Sequence, residues 1–441
     1  MTSHSRRAAV LAVGISVALT ATIGAPGHAA EVDRTPARAG ATWLSGELER
    51  GLLHNEDFDF DDYGLSIDAA LGLAEVGQRR QVAKIAEAVA ANLGSYTTGA
   101  DFGSSDVYAG ATAKAATLAI VARRKPDSFG GVDLIAQLEG LVAPSGRIAD
   151  QSDFGDFSNV VGQSYAAWAL SDASSDRAPE AVSYLLQQQC PQGYFRLDFT
   201  ADPAAADQTC AGARAAESRP DTDATAIATL ALREVSATGK ATRAIKRAAR
   251  WLTRTQKENG GFGGGTTTSK PNTNSAGLAG WVLGDLGREK QAAKAAAFVR
   301  RHQSVGAVGR CTTRLKNETG AIGYDARAVR AAESDGITKT TSDQWRRASA
   351  QALPVLTLAP KASGRLAATG RAGPQKVLLG LTGVAPGEQV CVTGPGVTKA
   401  VFGGWTSTRL AVDSPKTRAA SATYRVVDAD GNTTKVVVDV T

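Results

Sequence analysis

The sequence predicts an all-α part built of repeated helical hairpins, followed by a small all-β part. Six polar segments each open a helical stretch rich in small residues, at intervals of roughly 45–70 residues, which is typical of stacked supersecondary units. From about Gly364 the helical pattern gives way to short β-type runs. The six polar segments begin at Asp62, Ser105, Ser158, Asp221, Asn272 and Ser342.

A signal peptide is predicted ahead of the first helix. Arg6 and Arg7 precede an apolar run, and Gly27-His28-Ala29 supplies the small residues that a signal peptidase recognises. We therefore expect residues 1–29 to be removed after Ala29 and the protein to be secreted, which places it in the extracellular space. No later apolar run is long enough to span a bilayer.

Amphipathic helices are predicted between the polar segments, because apolar residues recur three and four positions apart. A leading helix at 41–52 and a final pair at 322–333 and 343–353 complete a helical domain over residues 30–361. The five amphipathic helices are predicted at 78–93, 132–142, 179–189, 241–256 and 290–302.

An immunoglobulin-like sandwich is predicted for residues 362–441. Short β-type runs begin near residues 377, 389, 401, 409, 422 and 435, and turn signals such as Pro386-Gly387 separate them. Six or seven short strands within so few residues are typical of a small antiparallel sandwich.

Two amphipathic helices end in the pattern Gln-x-x-x-Gly-x-Phe, from Gln189 to Phe195 and from Gln256 to Phe262. The Gln side chain can bond the free carbonyls at the helix end, and the Gly supplies a left-handed cap. With the alternation of helix types, this pattern resembles the squalene cyclase and prenyltransferase repeat of the terpenoid cyclase/protein prenyltransferase superfamily. The resemblance covers residues 40–360 and implies an all-α (α/α)6 toroid, which transcobalamin-like vitamin B12 carriers share. An open right-angle solenoid of helix pairs would show similar repeats.

In such a toroid the inner helices share one direction, so the polar segments would surround one mouth of a central cavity. The N-termini of the helices would also place partial positive charge there. Each polar residue could instead simply cap its helix. The candidate ligand-binding residues are Tyr63, Asp106, Tyr108, Asn159, Gln163, Tyr165, Asp223, Asn272, Asn274, Gln344 and Trp345.

Aspartates supply the candidate catalytic groups. Asp59-Phe60-Asp61-Asp62 matches the Asp-x-Asp-Asp motif with which class II terpene cyclases protonate an alkene, a step that needs a dry, unusually acidic carboxyl group. The match lies in a strongly acidic stretch and the aromatic content is only 6%, which favours a helix cap and an acidic loop. Asp221 and Asp223 could instead supply the two carboxylates of a polysaccharide-cleaving enzyme.

Neither a metal nor a cofactor is expected. The prenyltransferase branch uses zinc, but the mature chain has only His54 and His302, and neither has a Cys or second His at ligand spacing. We therefore predict a secreted protein that binds a small or oligomeric ligand, a glycan or an isoprenoid, without catalysis. A terpene cyclase-like or polysaccharide-cleaving enzyme is the alternative. Vitamin B12 is a candidate ligand only because of this resemblance.

The chain is basic, with a formal charge of +6, and its four cysteines predict disulfides. Basic residues are scattered over the helices without interleaved aromatic residues. This favours a solvated surface, or attraction to an anionic cell wall, over nucleic acid. Cys190 and Cys210 flank a loop that we expect to fold over the cavity mouth as a lid, and Cys311 and Cys391 would then pair with each other.

Overall fold

The computed structural model describes residues 31–235, 239–265, 269–414 and 420–440, so the predicted signal peptide lies outside the described residues. Six helices in this part of the chain form an inner ring. Each packs against the next, and the last packs against the first, which closes the ring. The predicted (α/α)6 toroid is therefore confirmed, and the open solenoid is excluded. The inner helices are α2 (Tyr63–Glu75), α5 (Ala109–Val121), α7 (Val160–Asp172), α9 (Thr222–Glu234), α11 (Thr273–Asp285) and α14 (Ser342–Ala352).

The outer helices pack against the inner helices that they follow. The sixth outer helix is the N-terminal helix α1 (Thr35–Gly46), which packs against α14. It begins with Pro36 in its first turn, earlier than the predicted range 41–52. Two further helices belong to neither set of six: the short α4 (Leu93–Thr97), and α13 (Ala326–Asp335), which lies near the predicted range 322–333. The remaining outer helices are α3 (Arg79–Ala91), α6 (Leu134–Gly140), α8 (Ala178–Gln187), α10 (Gly239–Thr255) and α12 (Glu289–Arg301).

Glutamine side chains join successive outer helices. Nε2 of Gln189 donates to the carbonyl of Gly193 at 2.9 Å and to the carbonyl of Ala244, in α10, at 2.8 Å. Gln256 binds α12 in the same way, and Gln303 binds α1. The pattern predicted from sequence as a helix cap is therefore a link between neighbouring hairpins, and Gln303 ties the N-terminal helix to the ring.

Two antiparallel sheets follow the helices and share one apolar core. Burial alternates along the strands, as expected when one face of a sheet is covered. The predicted sandwich is present, and its first strand, β3 (Ala367–Ala372), was not indicated by the sequence pattern. Its immunoglobulin-like type and the boundary at residue 362 stay predictions. One sheet has the order β3 (Ala367–Ala372), β4 (Lys376–Thr382), β7 (Thr408–Asp413); the other has the order β6 (Val397–Phe402), β5 (Gln389–Gly394), β8 (Ser421–Val427), β9 (Thr433–Asp439).

Both predicted disulfides form. The Cα atoms of Cys190 and Cys210 are 5.0 Å apart, and those of Cys311 and Cys391 are 5.5 Å apart. The second disulfide joins the segment after α12 to strand β5. None of the helices in the described part of the chain has the length and apolarity that a bilayer span requires.

Candidate functional site

A cavity of about 110 Å³ lies inside the inner ring. Its lining comes from all six inner helices, and it includes the last residues of α2, α5, α9 and α11. These helix ends can meet only if the inner helices run in the same direction, so the cavity occupies the C-terminal half of the ring. The lining residues are Asp68, Leu71, Gly72, Glu75, Val121, Tyr165, Trp168, Ile227, Leu230, Ala231, Glu234, Leu278, Trp281, Asp285, Ala350, Gln351, and Pro354 just beyond α14.

The lining follows helical periodicity. On α9, Ile227, Leu230 and Glu234 are the sixth, ninth and thirteenth residues, and the same positions of α11 are Leu278, Trp281 and Asp285. Residues at these intervals share one face of a helix. The predicted segments begin up to four residues before the helices, so the same spacing counted from them does not give the cavity residues.

The cavity wall is apolar and aromatic. Trp168 and Trp281 are half-buried and contribute rings, and aliphatic side chains such as Leu71 and Leu230 fill the space between them. Nε1 of Trp281 is buried and has no hydrogen-bond partner in the described part of the chain. A buried indole N–H is normally paired, so it offers a donor to a bound ligand.

A network of paired polar groups forms the floor of the cavity. Nζ of Lys114 lies 2.6 Å from Oδ1 of Asp68, and Gln351 donates to Oδ2 of the same carboxylate at 3.4 Å. Asn274 donates in turn to Oε1 of Gln351 at 2.8 Å. Tyr165 lies below the Lys114 ammonium, and burial raises the pKa of its phenol. The Asp68 carboxylate is therefore already bonded on both oxygens.

Carboxylates surround the mouth. Glu75, Glu234 and Asp285 stand at the C-terminal ends of their helices and are exposed. Asp285 forms an ion pair with Arg233. Loss of solvation raises the pKa of Glu75, and the charge of Asp285 adds to the shift. Helix C-termini carry partial negative charge, so this mouth favours cations.

The polar segments at the other end of the ring act mainly as helix caps. Side chains of Asp62, Asn159, Asp221 and Asn272 accept hydrogen bonds from backbone N–H groups in the first turns of α2, α7, α9 and α11. This agrees with the alternative that these residues cap their helices, and the ligand-binding role of Asn159 and Asn272 stays a prediction. Helix α5 is capped from outside, because Asp150 accepts from the N–H of Ala109 at 2.7 Å.

Of the predicted ligand-binding residues, Tyr165 alone lines the cavity. Asn274 contributes to the floor through Gln351. Trp345, 1% exposed, lies in the helical core. The buried amide of Gln163 bonds three backbone groups of neighbouring segments.

The others lie at the N-terminal end of the ring. Tyr63 packs against Tyr96, with ring centroids 6.1 Å apart. Asp106 accepts from Ser104, and Tyr108 occupies the N-cap position of α5 without a side-chain bond. Gln344 is exposed on α14. These residues form no common pocket with Tyr165.

Asp223 is the most perturbed carboxyl group of this region. Burial raises its pKa to about 6, a bond with Ser275 opposes the shift, and the charge of Asp221 adds to it. Its Oδ1 is buried without a hydrogen-bond partner in the described residues. It lies four residues before Ile227, on the same face of α9 but outside the lining of this cavity. Its role in ligand binding stays a prediction.

The segment from Asp59 to Asp62, which matches the Asp-x-Asp-Asp motif, lies on a surface hairpin formed by β1 (Leu53–Asn55) and β2 (Phe60–Asp62). The side chain of Asp59 is 97% exposed, and Asp61 bonds His54 at 2.9 Å, which raises the pKa of the imidazole. Asp62 caps α2. An acid strong enough to protonate an alkene needs a dry environment, which this hairpin does not provide. The interpretation as a helix cap and acidic loop agrees with this geometry.

The loop closed by Cys190 and Cys210 is not a lid over the cavity. It packs on helix α8, where the rings of Phe199 and Tyr184 lie 5.2 Å apart, and the fully buried Arg196 bonds Gln188. None of its residues lines the cavity. The predicted lid is therefore wrong, because the cavity occupies the other half of the ring.

No family model and no curated protein matches this chain. Among solved structures it is similar to the type II terpene cyclase MstE from Scytonema, with a TM-score of 0.49 and 13% identity over 73% of this chain and 96% of that one. It is also similar to a protein from Actinoplanes, with a TM-score of 0.48 and 17% identity over 74% and 98%.

A further similar structure is the ent-copalyl diphosphate synthase from Streptomyces platensis, with a TM-score of 0.43 and 15% identity over 68% of this chain. The match spans about half of that enzyme, 51% of its chain. A glycosidase is similar as well, with a TM-score of 0.46 and 10% identity over 74% of this chain and 97% of that one.

Proposed function

We propose that the toroid binds one small, largely apolar ligand with a cationic group in its central cavity, and that its role is binding without catalysis. The observation that carries this proposal is a cavity whose wall is aromatic, whose floor is a self-paired polar network and whose mouth is acidic. Small-molecule sites typically combine apolar walls with a few directed polar groups.

The size of the cavity limits the ligand. An apolar cavity of about 150 Å³ binds benzene, and the cavity here, about 110 Å³, is of the same order. A single aromatic ring has about the size of such a space, so a short side chain on the ring would lie in the open mouth. A long isoprenoid or an oligosaccharide exceeds the cavity. We therefore replace the broader expectation of a small or oligomeric ligand by a ring-sized one.

The mouth selects the charge of the ligand. Trp168 and Trp281 line the cavity, and the face of a Trp ring attracts an ammonium group. Glu75 and Glu234 add negative charge at the opening. The unpaired N–H of Trp281 can donate to an acceptor on the ligand. A protonated arylalkylamine satisfies the aromatic rings and the carboxylates; the N–H of Trp281 needs a separate acceptor, because an ammonium group has none.

The floor supports binding over catalysis. Both oxygens of Asp68 are occupied by Lys114 and Gln351. Since a general acid or base must reach the reacting group directly, a carboxylate held in this way is poorly placed to move a proton. Two disulfides fit an extracellular location, and secretion after cleavage at Ala29 is part of this proposal.

The test compares two ligands that differ only in charge, 2-phenylethylamine and 2-phenylethanol, by isothermal titration calorimetry on the full chain. We expect the amine to bind at least about tenfold more tightly, which corresponds to about 1.4 kcal/mol. The double variant Glu75→Gln/Glu234→Gln should lose this preference. Glu258→Gln/Glu289→Gln, which removes the same charge from exposed positions, should keep it.

Equal binding of amine and alcohol would contradict the proposal that the ligand is cationic.

A second candidate function, an enzyme, rests on Asp223, because a buried carboxyl group with a pKa of about 6 suits a general acid. Turnover of an isoprenoid or a glycan that Asp223→Asn abolishes would establish this candidate and refute the role in binding alone.

A further inference from the structure

A second and larger cleft lies where the helical part meets the sandwich, separate from the central cavity. Its volume is about 530 Å³. One wall is formed by the end of α12, the segment after it and α13, and the other by strand β6. The lining residues are Arg301, His302, Arg310, Cys311, Thr312, Thr313, Ala326, Val329, Arg330, Glu333, Thr398, Lys399, Ala400 and Phe402.

The cleft is strongly basic. Its lining carries four cationic side chains, those of Arg301, Arg310, Arg330 and Lys399, against the single carboxylate of Glu333. No ion pair involves any of these four cations within the described part of the chain. Unpaired charge of one sign in a concave site attracts counter-ions.

Arg301 also has an unsatisfied donor. Its Nε is buried and has no hydrogen-bond partner among the described residues. A buried polar group of this kind normally finds a partner, since leaving it unpaired costs free energy. An anionic oxygen in the cleft would supply the missing acceptor.

The two walls are held together. Cys311 and Cys391 join them covalently, and Arg300, next to Arg301, lies 3.8 Å from Glu388 of the sandwich side, both side chains being buried. A preorganised site loses little freedom when a ligand binds. The cationic groups of the cleft are therefore presented on a fixed frame.

We propose that this cleft binds a linear polyanion, a polymer that carries phosphate or carboxylate groups and no bases. Guanidinium groups form paired hydrogen bonds with both kinds of anion, and the cleft offers three of them. Phe402 is the one aromatic side chain in the lining, whereas single-stranded nucleic acid is held by stacking on several aromatic rings. This proposal does not depend on the ligand of the central cavity.

The test uses the full chain with three fluorescent polymers of matched charge: poly(glycerol phosphate), polygalacturonate and single-stranded dT oligonucleotide. The variant Arg310→Glu/Arg330→Glu/Lys399→Glu changes exposed side chains. The control Arg371→Glu/Arg409→Glu/Lys435→Glu changes the net charge equally on exposed strand positions outside the cleft. Binding is measured by fluorescence anisotropy at several salt concentrations, and folding by thermal melting.

We expect at least one base-free polymer to bind, and the cleft variant to weaken it by about tenfold or more. The slope of log affinity against log salt should fall by about one for each lost contact, while the control changes affinity by less than about threefold. The polymer that binds more tightly identifies the anion as phosphate or carboxylate. Failure of both polymers to bind, equal loss in both variants, or tighter binding of the oligonucleotide would overturn the proposal.

Discussion

Asp221 and Asp223 stand two residues apart and have different surroundings. Oδ1 of Asp221 accepts from the N–H of Ala224 at 2.8 Å and caps α9. Asp223 belongs to the first turn of the same helix and is half-buried, but its Oδ1 is buried, and loss of solvation raises its pKa to about 6. The helical rotation between the two positions directs the capping carboxylate and the carboxyl group of Asp223 to different surroundings.

Stability should depend on the protonation of Asp223. Its pKa rises from 3.8 to about 6 on folding, so the folded state holds more protons than the unfolded state between these values. Relative to Asp223→Asn, the free energy of unfolding of the wild type should therefore fall by about 2.4 kcal/mol between pH 4 and pH 7. Urea unfolding at pH 4 and pH 7 measures the difference.

The exposed Asp335 supplies the control, since Asp335→Asn should follow the wild type at both pH values. A constant difference between wild type and Asp223→Asn would show that folding does not raise the pKa of Asp223.

At the scale of elements, glycines allow the inner helices to close the ring. Helix α14 lies between α2 and α11, and both neighbours approach it through a glycine. A Cβ on Gly72 would lie 2.4 Å from the carbonyl oxygen of Ala350, and one on Gly277 would lie 2.4 Å from the Cα of Ala352. These contacts are with backbone, so the helices would have to separate.

Gly277→Ala should destabilise the protein, although Ala is the better helix former. Overpacking of this kind costs about 1–3 kcal/mol, more than the gain in helix propensity of up to about 1 kcal/mol. Gly140, at the end of α6, has open space around its Cβ position, and Gly140→Ala should be neutral or stabilising. Denaturant unfolding of both variants gives the comparison, and a stable Gly277→Ala protein would refute the close approach.

At the scale of the whole molecule, the helical and β parts have separate main cores. The two helical clusters contain no residue of the sandwich, and the cluster of the sandwich contains no residue of the helices. Val308, Cys391 and Val427 form a small shared cluster around the second disulfide. We therefore propose two domains with a boundary near residue 362.

A chain cut near residue 362 should remain joined through Cys311 and Cys391 until the disulfide is reduced. After reduction, the fragment 30–361 should keep its helical circular dichroism, because its core is complete. Loss of the helical circular dichroism signal would show that the two parts fold together. A reduced but uncut chain is the control.

The sequence by itself determined roughly where the inner helices start and where the β part lies. It indicated the pairing of Cys190 with Cys210, and that of Cys311 with Cys391 only by elimination. Caps such as Asp62 and Asn272 act on N–H groups within three residues, so they are visible in any short window. Only the tertiary structure decided which half of the ring is open. Lys114, Asp68 and Gln351 fill the middle of the ring from three helices far apart in the chain. Whether space remains depends on how side chains from all six helices meet, and a local pattern does not contain that information.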